Sequence, residues 1–562
     1  MDKIKVELEQ SKNGLEILKI NDFYIHSKYN PIAEAERMIT KDLFFDYIYI
    51  LFGYGMGYLK DSLINNNVEA NNIIIIDPIY EFLPTKETGV AIFSDTEGLE
   101  LENFISDKLE NLSTKVKVIC TPNYDKILPQ EYSNLLKTIR DVQIMHKITV
   151  NTAHRYAKAW QENYIHNTYH AFKDPSIEAL KKIYSHPVVL ASGGPSLTKQ
   201  LPLLKKMQDK VIILAAGSTV NSLLKAGIEP DYIVTVDGGI ENYKHFKELK
   251  LSKTKLLYHL GSYYKIQDEY KNLKYSFLEL IDNDFAQLLK KTLNLNIPLI
   301  RGGGSVANFA FVIASYISTG PIAFIGQDLA YTNNLTHAKH NKYLKEIDEE
   351  YKKKRGMFEV KGYFGESVLT DYAFYAMKKN FEITYKLLEH EAPIFNCTEG
   401  GVCIGGINQC TFEKFIEDYV QNCFVKKIED GEIKSLIRDT ADYKKKLKEQ
   451  VDLYDKIGSE IEIALNLLKR NKSNYFFEMK TIKELDKIDE KINNWISNVF
   501  IQRIVEPITL DVLSKYSKRD VETKEESFLR VFSQNNELYT RLLEAIKLSK
   551  QYTLDTLQKV EG

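Results

Sequence analysis

The sequence predicts an α/β protein. A central doubly wound, Rossmann-like parallel sheet is preceded by a smaller Rossmann-like α/β domain and followed by an all-helical domain. Three observations predict this. Short apolar runs bounded by breakers alternate with helical patterns from Tyr47 to Asn396, as in a parallel sheet whose strands are buried on both faces. Glycine- and hydroxyl-rich stretches follow these runs rather than precede them. Beyond residue 425 glycine nearly vanishes, and Leu447, Val451 and Tyr454, then Ile457, Ile461, Leu465 and Leu468, recur at helical spacing. The expected domains are 1–165, 166–424 and 425–562.

The first forty or so residues read as a small αβ lead-in. Tyr47–Phe52 is a buried strand, Gly53-Tyr-Gly-Met-Gly57 a glycine loop before a helix, and Ile73–Ile76 a second strand ending in Asp77-Pro78. An acid about 20 residues beyond the last glycine suits a nucleoside site, with the carboxylate on a ribose diol. The loop also resembles the cofactor loop of S-adenosylmethionine methyltransferases, but no later motif of theirs follows. Two readings stay open: a live site, or, favoured, a Rossmann-like domain whose pocket has lost its role. Val116–Cys120 is the next strand. From 125 to 182 the periodicity is helical, with His166 and His170 one turn apart and no further ligand for zinc in view. Packing is the expected role of both.

The central region opens with Val188-Val-Leu190 and the loop Ser192-Gly193-Gly194-Pro195-Ser196. A helix is expected from near Lys199–Leu201, because Pro202 fits best in a first turn. Gly193 and Gly194 are expected to take positive φ, and the loop's free amides to face an anion; a tight turn with no ligand is the other reading. Strands Val211–Ala215, Tyr232–Val236, Leu256–Leu260, Ile297–Ile300, Pro321–Ile325 and Ile394–Asn396 follow. Loops 192–196, 217–219, 237–239 and 302–305 then fall on one sheet edge, where α/β proteins bind ligands. Lys352-Lys-Lys-Arg355 reads as a solvated loop, and Pro507 as dividing the helical region into two long parts.

Composition narrows the classes. Lys plus Arg is 75 against 77 for Asp plus Glu, so no basic field points to nucleic acid. No apolar run of about 18 residues is present, so no membrane span is expected. Met1–Asn13 is polar and the five cysteines are scattered. Both suit free thiols and a cytoplasmic location. Asp282-Asn-Asp284 could hold a cation, but helix capping explains both carboxylates, and no essential metal is expected.

Gly193-Gly-Pro-Ser-Leu197, Gly217-Ser218 with Pro230-Asp231, Gly302–Ser305, Gly326–Tyr331 with Thr336-His337, and Asn396–Gly401 together resemble the motility-associated factor (Maf) family of bacterial flagellin glycosyltransferases. The resemblance covers about 185–410. The family's central domain is similar to a class of bacterial sialyltransferases, and an archaeal pterin pyrophosphokinase shares its glycine loop. What the resemblance implies is transfer of a nonulosonic acid, pseudaminic or legionaminic, from its CMP-activated form to serine or threonine of flagellin. No tightly bound cofactor is implied, and homo-oligomer formation is left open. Ser192, Gly193, Gly194, Pro195, Ser196, Gly217, Ser218, Gly303, Gly304, Ser305, Gln327 and Asp328 would line the nucleotide. The alternatives are a pyrophosphokinase of the pterin type, a methyltransferase centred on Gly53–Gly57, and a non-enzymatic flagellin chaperone or adaptor.

The sialyltransferases hold the leaving phosphate with two tyrosines six residues apart. Tyr331 and His337 match that spacing, with His337 replacing the second tyrosine. Their histidine base lies in a Gly-His-Ser segment before Thr-Asp, where this chain has Gly365-Glu366-Ser367 and Thr370-Asp371. Glu366 therefore stands at the base position, and a carboxylate can act there if burial raises its pKa. Asp237 or Asp328 could share that role; Asp237 could instead bind ribose hydroxyls or a metal, and Asp328 could hold its loop.

Overall fold

Each of these apolar runs is a strand in the computed structural model, which describes residues 4–40, 43, 47–84, 89–94, 99–109, 115–431, 439–472, 476–516 and 522–561. The chain divides into two units, one of Met1–Ala153 with Leu510–Val531, the other of His154–Thr509 with Phe532–Gly562. The first division, like the expected boundary at 165, falls inside the helix Pro129–Lys173.

In the first unit β1 (Val6–Gln10), β2 (Glu16–Ile20) and β3 (Phe23–Tyr24) form an antiparallel sheet. After α1 (Pro31–Ile39) come β4 (Tyr47–Phe52), α2 (Tyr58–Asn65), β5 (Ile73–Ile76), β6 (Ala91–Phe93), α3 (Leu99–Lys108), β7 (Lys115–Cys120), α4 (Tyr124–Ile127) and α5 (Pro129–Lys173). The four later strands make a parallel sheet of order β6-β5-β4-β7.

The second unit carries β8 (Val188–Ala191), α6 (Leu197–Met207), β9 (Ile212–Ala216), α7 (Val220–Lys225), β10 (Tyr232–Thr235), α8 (Ile240–Phe246), β11 (Lys255–His259), α9 (Tyr264–Glu269), β12 (Lys274–Glu279), α10 (Asn283–Leu293), β13 (Leu299–Ile300), α11 (Val306–Ile317) and β14 (Ile322–Ile325). Then follow α12 (Glu349–Arg355), the hairpin β15 (Phe358–Lys361) and β16 (Ser367–Thr370), α13 (Tyr372–Leu387), β17 (Ile394–Asn396), β18 (Asn408–Gln409) and α14 (Phe412–Tyr419). The helical region contains α15 (Thr440–Asn471), α16 (Met479–Ile496), α17 (Gln502–Lys515) and α18 (Lys524–Glu561).

Nine parallel strands lie in the order β13-β12-β11-β10-β9-β8-β14-β17-β18. Successive side chains of a strand serve opposite faces. Val189, Ala191, Ile213 and Ala215 enter one core with α6 and α10, while Val188, Leu190, Ile212 and Leu214 enter another with α11. The chain winds outward from β8 to β13, then returns to lie β14 on the other side of β8. Connections leaving β8 and β14 therefore diverge, and a crevice opens outside their carboxyl ends.

Three local expectations are corrected. α6 begins at Leu197, with Pro202 inside it; its first turn closes by tight bonds such as Leu197 N–H to Gly194 O (3.1 Å) and Lys199 N–H to Ser196 O (3.2 Å). Pro507 lies within α17, and the chain breaks instead on either side of that helix. Lys352–Arg355 is helical, because Asp348 caps α12 by accepting from Tyr351 N–H and the cations sit at its carboxyl end.

Candidate active site

The loop after β8 is held from within. Ser192 N–H donates to Ile325 O (2.9 Å), Gly194 N–H to Gly326 O (2.8 Å), and Ser196 N–H to the Asp328 carboxylate (3.3 Å). Only Gly193 N–H lacks a protein acceptor among the described residues. Asp328 also accepts from Ser196 Oγ and Thr332 Oγ1, each at 2.6 Å. Burial pushes its carboxyl above the usual range, those bonds opposing. Neither Gly193 nor Gly194 has positive φ, against expectation. Gly194 is needed for close approach: a Cβ there would overlap Asp328 Oδ1 and stand 2.6 Å from Gly326 O. The open cradle of amides is thus replaced by an acid locking two loops together.

On its other side Gly193 faces the loop after β9 and the segment that carries His337 and Asn341. A Cβ on Gly193 would stand 3.3 Å from Asn341 Nδ2 and from Thr219 Oγ1, and 3.7 Å from His337 Cδ2. Asn341 Nδ2 donates to Ser218 Oγ (3.3 Å), and Asn341 Oδ1 accepts from Tyr343 N–H (2.9 Å). The His337 and Tyr343 rings are 5.8 Å apart, and the Tyr343 hydroxyl meets His245 Nε2 at 2.6 Å. Burial lowers the pKa of both histidines. His337 Nδ1 and His245 Nδ1 are buried without partners among the described residues.

Asp237 follows β10 on the same edge. It is exposed, and desolvation by the protein around it moves its carboxyl above the usual range. Its carbonyl accepts from Asn242 Nδ2 (2.7 Å) and Tyr263 N–H (3.2 Å). One face of α5 clasps the neighbouring turns: Asn163 Nδ2 donates to Gly238 O (3.0 Å) and Gly261 O (3.1 Å). Gly238 is required there, since a Cβ would stand 2.7 Å from Trp160 Cδ1.

The remaining expected site residues are placed as follows. Gly217, Gly303 and Gly304 do take positive φ. Ser305 caps α11, its Oγ accepting from Asn308 N–H (3.2 Å). Ser192, Pro195 and Gln327 are buried, and Gln327 Oε1 has no partner among the described residues. The Tyr331 hydroxyl donates to Asp371 Oδ2 (2.7 Å), which also pairs with Arg355 (2.7 Å). Its proton is therefore committed away from the crevice. Glu366 is exposed in the turn of the β15–β16 hairpin, accepting from Phe364 N–H (2.9 Å). The burial that a base there requires is missing.

Asp282 is fully buried, accepting from Glu279 N–H (2.9 Å) as part of a capping box and from the Tyr164 hydroxyl (2.7 Å). It also pairs with His259 (2.8 Å) and Arg503. Its carboxylate closes the capping box of the turn at Leu280–Asp282 and makes no side-chain cap bond to α10, so the expected N-cap role for both Asp282 and Asp284 is met only in part. His170 pairs with Asp268 (2.6 Å), and His166 stacks on Tyr264 at 4.2 Å; both pack. All five cysteines are free. In the first unit, Asp77 is buried and satisfied by Tyr54 N–H (2.7 Å), Ile79 N–H (2.9 Å) and the Tyr124 hydroxyl (2.9 Å). Cβ atoms on Gly53 and Gly55 would meet the Tyr124 ring at 2.5 Å and the His26 ring at 2.6 Å. These two glycines are therefore required by packing inside the domain.

Sequence reasoning missed His245, Tyr343, Asn341 and Arg355. His245 could have been noticed on the helix following Asp237-Gly-Gly239. Tyr343 and Asn341 lie in irregular chain and give no periodic signal.

With the crevice described, its relatives can be placed. A family model described as 6-hydroxymethylpterin diphosphokinase MptE-like matches residues 162–334. An uncharacterized protein of Treponema pallidum (strain Nichols) is 24% identical over 216 residues, covering 35% of this chain and 73% of that protein. The structure of a MAf glycosyltransferase from Magnetospirillum magneticum AMB-1 superposes with a TM-score of 0.52, covering 100% of this chain and 92% of that one. The fold is shared. Identity between the two is 14%, so the likeness to the MAf glycosyltransferase is one of architecture. Among the described residues no helix is long and apolar enough to cross a membrane.

Proposed function

We propose that this chain is a CMP-nonulosonate-dependent protein O-glycosyltransferase, moving a pseudaminic- or legionaminic-type sugar to serine or threonine of flagellin in the cytoplasm. The observation that supports it most is the grouping of Thr219, Asn341 and His337 around Gly193, on the sheet edge that also carries Asp237, in a chain whose fold is like that of a MAf glycosyltransferase.

In this reading the bond between the anomeric carbon and the CMP phosphate breaks through an oxocarbenium-like transition state. The acceptor oxygen forms the new glycosidic bond, and CMP leaves. Such a reaction needs stabilisation of the leaving phosphate and a base for the acceptor proton. Asp237, exposed just after β10 on the sheet edge that carries Gly193, takes that proton. Ser218, Asn341 and His337 lie where they can hold polar groups of the nucleotide. No resident cofactor or metal takes part in this scheme.

The family-model match over 162–334 favours a second reading, a nucleotide-dependent diphosphokinase. Calorimetry separates them. The first reading expects CMP to bind and ATP not to; ATP binding without CMP binding supports the second.

A further inference from the structure

His245 lies on α8, just past the Asp237-Gly-Gly239 turn, and is 6% exposed. Its ring packs edge-on against Tyr343 at 4.6 Å and 75°. Burial and Lys342 lower its pKa, Glu241 opposes them, and His337 adds to the lowering. Each of the lowering causes favours the neutral ring, which carries one N–H. Were that hydrogen on Nδ1, which has no partner among the described residues, a buried donor would be orphaned. Orphaned N–H groups are rarer in proteins than under-used acceptors. The hydrogen accordingly sits on Nε2 and is donated to the Tyr343 oxygen, 2.6 Å away. That leaves the Tyr343 O–H free to donate in another direction.

The surroundings say where. Tyr343, 39% exposed, is held through its backbone by Asn341 and stands beside His337, whose Cδ2 lies 3.7 Å from where a Cβ on Gly193 would be. Burial, Glu241 and Asp237 raise its phenol, with Lys244 opposing, so it keeps its proton. We infer that His245 positions the Tyr343 hydroxyl as a hydrogen-bond donor to an oxyanion bound at the Gly193 end of the crevice, a phosphate oxygen of the nucleotide. The inference rests on the proposed function only for which nucleotide that is.

The test compares CMP with cytidine, which lacks the phosphate, by calorimetry on the full chain. Tyr343→Phe removes one oxygen and keeps the ring. It is expected to weaken CMP binding about tenfold or more, the scale of a bond to a charged group, and to leave cytidine unchanged. His245→Leu should do the same, whereas His245→Gln, whose amide N–H can still reach the phenol oxygen, should restore most of the affinity. Equal losses for CMP and cytidine, no loss with Tyr343→Phe, or no difference between His245→Gln and His245→Leu would overturn the inference. Should wild type bind ATP and not CMP, the glycosyltransferase reading fails and the same comparison is made with ATP against adenosine. Selective loss of ATP would then uphold the role of Tyr343.

Discussion

The hydroxyl of Ser196 donates to the Asp328 carboxylate across 2.6 Å, joining the loop that leaves β8 to the loop that leaves β14. Asp328 is 1% exposed and takes three protein donor groups, the Ser196 hydroxyl and amide and the Thr332 hydroxyl. Replacing it with alanine leaves these unpaired in a buried place. Asp328→Ala is expected to cost about 2–4 kcal/mol of stability, read by urea unfolding. A variant of native stability with lost nucleotide affinity would instead make Asp328 a ligand residue.

Tyr331 is bound to Asp371, and Asp371 caps α13 by accepting from Phe374 N–H (2.9 Å) while pairing with Arg355. Tyr331→Phe should lower stability by about 1–3 kcal/mol and change CMP affinity less than about twofold. A large loss of affinity at native stability would return Tyr331 to the leaving phosphate.

His166 is buried, stacked on Tyr264 and bonded to Thr556 Oγ1 (3.0 Å). Burial, then Lys559, lower its pKa to about 4, with Asp268 and Asp555 opposing. The unfolded chain binds a proton at this histidine near the ordinary value of about 6.5, so its contribution is complete above that value and is lost as pH falls toward about 4. Compared with His166→Gln, wild type should lose up to about 1.4 kcal/mol more per pH unit across that window. Parallel pH profiles for the two proteins would contradict the burial of a neutral ring.

Asp237 has the opposite sign. Its folded carboxyl is raised by burial, so its contribution is fully present below the unfolded value and is lost as pH rises through the folded one. Asp237→Asn is therefore expected to melt slightly higher than wild type at neutral pH, the margin kept small by solvent screening of its exposed side chain and closing toward pH 4, while losing transfer. Such a trade between stability and activity is common where a site holds a strained group. An unchanged melting temperature at every pH would remove the physical case for Asp237 as the base.

Much of the fold was legible because strands buried on both faces announce themselves as apolar runs. The site was legible only in part. The glycines after β8 were found, but Gly194 makes room for Asp328, a partner far along the chain that no local spacing reveals. Spacing paired Tyr331 with His337, whereas the structure pairs His337 with Tyr343, because Asp371 and Arg355 hold Tyr331 aside. Glu366 was chosen by its position in a motif; its exposure is set by a hairpin turn that the motif does not encode. In the first unit, Gly53 and Gly55 make room for the rings of Tyr124 and His26, and Tyr124 bonds Asp77, partners too far along the chain for local spacing to reveal.

The central claim is tested most directly by the intact mass of flagellin coexpressed with this protein and a nonulosonate pathway. The account predicts nonulosonate mass increments with wild type and with Glu366→Gln, and none with Asp237→Asn. Unmodified flagellin with wild type, or increments that vanish with Glu366→Gln and persist with Asp237→Asn, would contradict it.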